Sequence, residues 1–329
     1  MPRGDRLRNA ALLALSLAAS IGLAELAVRL FVPVRDVGPP FTVHDPVLGK
    51  RLKAGFSAER VTPEFTMRLS TNSLGFRGAE PRAFPRRPIL FLGDSFTLGY
   101  GVSDGEEYPA RVAAELRRRH GDAAPPVVNA GIGDSGNGYW VKLLRARGEE
   151  MQPRLVVMQV YENDFFDNIN EKLFLLEPDG ALHELAVPPP GTMRRLQQLV
   201  DAVPGLSHSY LIGLLRQART AAPRAPEAAA ARVPNDLLTL RIVEQALLAC
   251  KARNWPALGL LVGLSHEREA AMRALFAGHG VPVVTIPAKN ERPELYYRVD
   301  GHWNAAGHAH VAEQVLGAMG DAAARRAAR

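Results

Sequence analysis

The stretch ILFLGDSFTLGYG, residues 89–101, decides the fold. Four apolar residues, Ile89 to Leu92, run without polar alternation, and Gly93-Asp94-Ser95 ends the run abruptly. A strand that is apolar on both faces must be covered on both, as happens in parallel sheets flanked by helices. The chain then leaves through small residues and places a hydroxyl at the exit. In open parallel sheets this edge, beyond the carboxyl ends of the strands, is where ligands bind.

Working outward, the pattern repeats. A helix is expected at about 106–120, with Tyr108, Val112 and Leu116 on one face. PVVNAG (126–131) reads as a second strand, followed by a helix at about 138–149. RLVVMQVY (154–161) is a third strand. ALGLLVGL (257–264) and VPVVTIP (281–287) are the fourth and fifth, around a helix at 266–279, and a last helix covers about 304–318. This alternation predicts an α/β fold, a three-layer α/β/α sandwich with a central parallel five-stranded sheet. Between Asp164 and Ala257 the alternation stops. Residues 165–256 read as a mainly helical insert or lid, with Pro188-Pro189-Pro190, helical patterns near 192–218 and 236–253, and an Ala/Pro/Arg linker at 220–234. A connection of that length usually has a role. The expected organisation is an N-terminal helix at 1–36, a Pro/Gly/Arg-rich leader at 37–85 with short strands near 65–70, the main domain at 86–320 and a tail at 321–329.

Composition narrows the function classes. The chain has 329 residues, 47% hydrophobic and 22% charged, as globular proteins do. The net charge of +6 is spread over scattered clusters such as Arg117-Arg118-Arg119, Arg194-Arg195 and Arg325-Arg326. No aromatic-basic stripe accompanies them, which argues against a nucleic-acid partner. The single cysteine, Cys250, excludes an internal disulfide and a multi-cysteine metal site.

The N-terminus carries a localisation signal. Arg3, Arg6 and Arg8 precede an apolar run that Glu25 interrupts and LAVRLFVPV continues. Glu25 and Arg29 stand four apart, the spacing of a pair on one helix face. The expected reading is a membrane anchor with its basic flank in the cytoplasm and the main domain exported to the periplasm. A cleaved signal peptide, with Gly22-Leu23-Ala24 as its small-residue site, and a buried amphipathic helix are the alternatives.

The carboxyl edge of the expected sheet gathers Ser95, the glycine-rich turn Asn129-Ala130-Gly131-Ile132-Gly133, then Glu162-Asn163-Asp164, and finally Asp300-Gly301-His302. Acyl transfer needs a nucleophile, a base, an acid that orients the base, and oxyanion donors. This set can fill all four roles.

These four segments, FLGDSFTLG, NAGIGDSGNG, Asn163-Asp164 and DGHWNAAGH, resemble the blocks of the SGNH or GDSL hydrolases, in the family's order and over about residues 86–318. HDPVLG…TNSLGFRG (44–78) is similar to the leader of exported bacterial members. The resemblance implies a flavodoxin-like fold and a serine esterase without metal or cofactor. It implies Ser95 as nucleophile, His302 as base and Asp300 as its orienting acid, with the Ser95 N–H, a glycine-block N–H and the Asn163 amide as the oxyanion hole. The last block is spaced Asp-x-His where the family usually has Asp-x-x-His. The glycine block is compressed, leaving Gly133 and Gly136 as candidates, of which Gly133 is expected. An exported enzyme of this kind would act on an acyl ester, such as an O-acetyl group on a cell-envelope polysaccharide. An O-acyltransferase on an envelope glycan and a non-catalytic scaffold of the same fold are the alternatives.

Each residue also has a plainer reading. Ser95 could cap the next helix, Asn163 could be a turn residue, and His302 a surface histidine. Asn304 and Ser265 read as helix caps, and His308 and His310 as structural or exposed. Glu162, Asp164 and Asp167 suggest a metal only weakly.

Overall fold

The five apolar runs form five parallel strands. In the computed structural model, which describes residues 3–32, 34, 37–81, 87–189, 200, 203, 205–220 and 232–327, these are β5 (Ile89–Leu92), β6 (Val127–Asn129), β7 (Leu155–Tyr161), β10 (Ala257–Val262) and β11 (Val283–Ile286). Pro190, residues 192–199 with Arg194-Arg195, and positions 221–231 of the expected linker lie outside the described residues. The sheet order is β11-β10-β7-β5-β6, with Leu90 paired to Val128 on one side and Val156 on the other. Every residue of β5 is buried, as its unbroken apolarity requires. The direction of strand succession reverses between β5 and β7, which makes the carboxyl ends of these two strands the switch point of a doubly wound sheet.

Helices connect and cover the strands: α2 (Ser95–Leu98), α3 (Tyr108–His120), α4 (Gly138–Met151), α5 (Asp164–Glu171), α7 (Arg232–Ala252), α8 (His266–Gly278) and α9 (Ala305–Ala327). Tyr108, Val112 and Leu116 of α3 are buried in one cluster with Phe91, Leu260 and Val311. Helix α7 packs on α4, α5 and α8. The connection from β7 to β10 therefore contains a helix packed on three others of the domain, preceded by the hairpin of β8 (Phe174–Leu176) and β9 (Leu182–Glu184).

The leader contributes β1 (Thr42–Asp45) and β2 (Gly49–Leu52), an antiparallel hairpin. The Asp45 carboxylate turns it by accepting the N–H groups of Val47 and Leu48, both at 2.8 Å. Two further strands, β3 (Ser57–Val61) and β4 (Thr66–Ser70), follow. Beyond them the leader supplies Arg77, whose side chain is fully buried. Its guanidinium donates to the carbonyls of Leu98, Gly99 and Val102 at 2.7–2.8 Å. It also pairs with Asp104 at 3.3 Å and the buried Glu107 at 3.6 Å. Burial raises the Glu107 carboxyl, and Arg77 opposes that rise. Arg77→Met would strand three carbonyls and a buried carboxylate, so a loss of about 3–5 kcal/mol is expected in chemical denaturation.

By contacts the chain forms two units, one drawing on Met1–Pro39, Glu59–Phe65 and Gly191–Pro226, the other on Pro40–Ala58, Thr66–Pro190 and Glu227–Arg329. The sheet belongs to the second. The first contains α1 (Arg3–Phe31) and α6 (Tyr210–Thr220). Residues Gly4–Phe31 are long and apolar enough to cross a membrane, with a mean hydropathy of 2.0 over their most apolar window. Leu13, Leu23 and Phe31 stand exposed on α1. Glu25, the interruption in the apolar run, has a defined use. Its carboxylate accepts the Ser209 hydroxyl at 2.6 Å and the N–H groups of Tyr210 and Leu211 at 2.7 and 2.9 Å. It thereby satisfies orphan donors at the start of α6. Arg29, its expected partner by spacing, lies over the Tyr210 ring at 5.3 Å.

Candidate active site

At the end of β5 the chain turns through Gly93, where no side chain fits. A Cβ there would meet Thr97 Oγ1 at 2.1 Å and Gln159 Oε1 at 2.4 Å. The cap of α2 is Asp94, not Ser95: Asp94 Oδ1 accepts the Phe96 N–H at 2.9 Å. Asp94 is completely buried, and burial pushes its carboxyl up to about 6, opposed by the Phe96 N–H and the nearby His302. With capping assigned to Asp94, the Ser95 hydroxyl is left for another partner. That partner is His302 Nε2, at 2.7 Å.

His302 arrives from a loop 207 residues further along the chain. Its ring lies 5.0 Å, centroid to centroid, from both Phe96 and Tyr100. The next residue, Trp303, is fully buried and packs on Phe96 at 4.6 Å. Aromatic pairs of this kind add about 0.5–1.5 kcal/mol each beyond area burial, enough to hold a loop. Tyr297 N–H donates to the His302 carbonyl at 2.8 Å, and Asn304 N–H to that of Leu295 at 3.0 Å. Asn304 Oδ1 accepts the N–H groups of Ala306 and Gly307, capping α9. His308 is buried and accepts the Tyr108 N–H through Nδ1, a structural use. Ser265 caps α8.

Asp300 Oδ1 lies 2.5 Å from His302 Nδ1 and also accepts the His302 backbone N–H at 3.3 Å. The intervening Gly301 takes φ +89°. A left-handed residue reverses the chain so sharply that acid and imidazole meet across one intervening position, and glycine adopts that conformation without strain. The short spacing is thereby accommodated. Side chains of Asp300 and His302 are 26% and 24% exposed, so this edge is open to a ligand.

The glycine loop follows β6. Ile132 N–H donates to the Gly93 carbonyl at 3.1 Å, joining the loop to the turn before Ser95. A Cβ on Gly133 would stand 3.9 Å from the Ser95 Cβ, so Gly133 lies beside Ser95 with room to spare. Gly136 faces elsewhere: a Cβ there would meet Asn168 Oδ1 at 2.4 Å, and its N–H donates to Glu171 Oε2 at 3.1 Å. Of the two, Gly133 is the one placed beside Ser95.

Asn163 follows β7, the neighbour of β5, and precedes α5. Its backbone carbonyl accepts the N–H groups of Phe166 and Asp167, and its side-chain oxygen is buried without a hydrogen-bond partner. Asp164 turns inward, accepting Tyr161 N–H at 3.0 Å and Asn137 Nδ2 at 2.8 Å; burial holds its carboxyl well above the usual range. Glu162 instead pairs with Arg268 at 2.5 Å. These carboxylates are thus engaged separately, and no group of three metal-ligating side chains occurs among the described residues.

Two residues reach the site from outside its four segments: Arg77, which fixes the carbonyls of Leu98, Gly99 and Val102, and Lys50, whose ammonium reaches the glycine loop 83 residues away. Both belong to the leader, and only the three-dimensional path of the chain brings them here.

Residues 91–310 match the model of the GDSL-like lipase/acylhydrolase family. No curated protein sequence matches the chain significantly. Similar solved structures include LAE5, described as an α/β hydrolase enzyme from the metagenome of Lake Arreo, Spain, at 14% identity and a TM-score of 0.44. That match covers 72% of this chain and 97% of that one. The esterase EstA from Pseudoalteromonas sp. is 12% identical, with a TM-score of 0.43 over 71% of this chain and 97% of its own. A catalytic mutant of Axe2, an acetylxylan esterase from Geobacillus stearothermophilus, is 15% identical, with a TM-score of 0.38 over 72% and 95%.

Proposed function

Since the chain belongs to the GDSL-like lipase/acylhydrolase family, whose members hydrolyse ester bonds, we propose that it is a serine esterase using Ser95, His302 and Asp300. The observation that carries this reading is the 2.7 Å contact between Ser95 Oγ and His302 Nε2. With Nδ1–H donating to Asp300, Nε2 holds the lone pair that accepts the Ser95 proton as Oγ attacks the ester carbonyl. The negative oxygen formed is met by the N–H groups of Ser95 and Gly133 and by the Asn163 amide. His302 then returns the proton to the departing alcohol, leaving an acyl-Ser95 ester. Water, deprotonated by the same imidazole, attacks that ester and releases the acid and free Ser95.

The substrate we propose is an acyl ester, an O-acetyl group on a cell-envelope polysaccharide, with the enzyme tethered in the bacterial inner membrane by α1 and its catalytic domain in the periplasm. A helix of about 28 residues rises about 42 Å, enough for a hydrocarbon core of about 30 Å. The basic residues before it favour the cytoplasmic side. The partly exposed acid and imidazole suit a bulky polymer better than an enclosed cavity would.

A fluorophosphonate probe tests the chemistry. The full chain in detergent is expected to be labelled at Ser95 and to release free acetate from an acetylated glycan. A folded, unlabelled protein would reject the esterase in favour of a scaffold. Acetate appearing on a second glycan instead of in water would make the enzyme a transferase.

A further inference from the structure

Lys50 lies on β2, outside all four segments that build the site, and its side chain is only 11% exposed. Its ammonium donates to the Gly133 carbonyl at 3.2 Å and to the adjacent Asp134 carbonyl. It is tethered by Glu171 Oε1 at 3.0 Å. The other oxygen of Glu171 accepts the Gly136 N–H at 3.1 Å. One buried ion pair therefore grips the loop at both ends, carbonyls on the lysine and an amide on the glutamate. Asp134, in between, is a non-glycine residue at φ +52°. Such a conformation costs on the order of 1–2 kcal/mol and persists where surrounding contacts over-determine it.

The geometry has a consequence for one hydrogen. Peptide units are planar, so each anchored group fixes a whole unit. The unit before Ile132 is anchored through its N–H on the Gly93 carbonyl. The unit after Gly133 is anchored through its carbonyl on Lys50. The unit carrying the Gly133 N–H is suspended between them, beside Ser95. Without Lys50 its downstream support is gone, and Glu171 and the largely buried Asp167 face each other unopposed. Burial already raises the Asp167 carboxyl to about 7, and Lys50 is the charge that counters it.

We infer that Lys50, held by Glu171, is a positioning residue for the oxyanion site: it fixes the Gly133–Asp134 backbone so that the Gly133 N–H points at the oxygen of the carbonyl that Ser95 attacks. This rests on the esterase reading above. A donor displaced by about 1 Å can cost up to about 10²-fold in rate.

The test compares the full-length chain in detergent with Lys50→Met, Lys50→Arg, Glu171→Gln and Ser95→Ala, reading kcat and KM on p-nitrophenyl acetate and the rate of fluorophosphonate inactivation. For Lys50→Met, kcat is expected to fall about 10- to 100-fold with KM within about twofold. Inactivation should slow in parallel, because the phosphonate oxygen occupies the same hole. Lys50→Arg should recover part of the loss, since it keeps the charge but not the compact point donor. A folded Lys50→Met with unchanged kcat, or with only KM raised, would overturn the inference. If that variant does not fold, Glu171→Gln decides: kcat down several-fold with KM steady supports it, and unchanged kcat overturns it. Activity surviving in Ser95→Ala would remove the esterase premise itself. An inactive Ser95→Ala beside a fully active Lys50→Met would remove the lysine's role alone.

Discussion

Ser95→Ala is expected to lower kcat for an aryl acetate by on the order of 10⁶, since loss of the nucleophile from such a triad removes nearly all covalent catalysis. The same variant should unfold within about 1 kcal/mol of the parent, because Asp94, not Ser95, caps α2. The two readouts together separate chemistry from scaffolding. A serine serving the fold would lose stability and leave rate untouched. A serine serving as nucleophile does the reverse. Hydrolysis measured in the purified variant at the parental rate would eliminate Ser95 from the reaction.

Asp300→Asn is the second large effect, with kcat expected to fall by on the order of 10⁴. The size follows from the direction of one hydrogen bond. Asp300 only accepts, so it draws the ring proton to Nδ1 at 2.5 Å and leaves Nε2 as the acceptor facing Ser95 at 2.7 Å. An asparagine can present its NH2 to Nδ1, which moves the proton to Nε2 and turns the base into a donor. Fold should be little affected: the Asp300 side chain is 26% exposed, so the His302 backbone N–H that it accepts at 3.3 Å can turn to water instead. A fall of less than tenfold would mean that another group orients the imidazole.

The sheet was legible because its central strands β5, β7 and β10 are buried on both faces, and a continuous apolar run as short as Ile89–Leu92, closed by Gly93, fits a covered parallel strand better than any half-exposed one. Ser95 and Asn163 stand where the sequence marks the ends of β5 and β7, and His302 stands just before the helix that Asn304 caps. Asp300 rested on a spacing whose feasibility depends on the φ of Gly301, a backbone property no residue count conveys. That Gly136 packs against Asn168 and Glu171, and not beside Ser95, follows from α5, which has no local relation to the glycine loop. For the same reason Arg77 stood out only as part of the leader stretch TNSLGFRG, and Lys50 not at all. A lone lysine in a four-residue strand looks like surface until the fold closes over it. Residues 232–252 read as part of an insert because nothing in the sequence joins their helical pattern to β10; in the structure they pack on α4, α5 and α8.

The contact between Glu25 and Ser209 spans 184 residues of chain. At a synthesis rate of about 5–20 residues per second, the ribosome makes Ser209 roughly 10–40 s after Glu25. For that interval the carboxylate on α1 has none of its three donors. All of β5, β6 and β7 are translated before the first of them appears, so the seating of α6 on α1 is a late event in biogenesis.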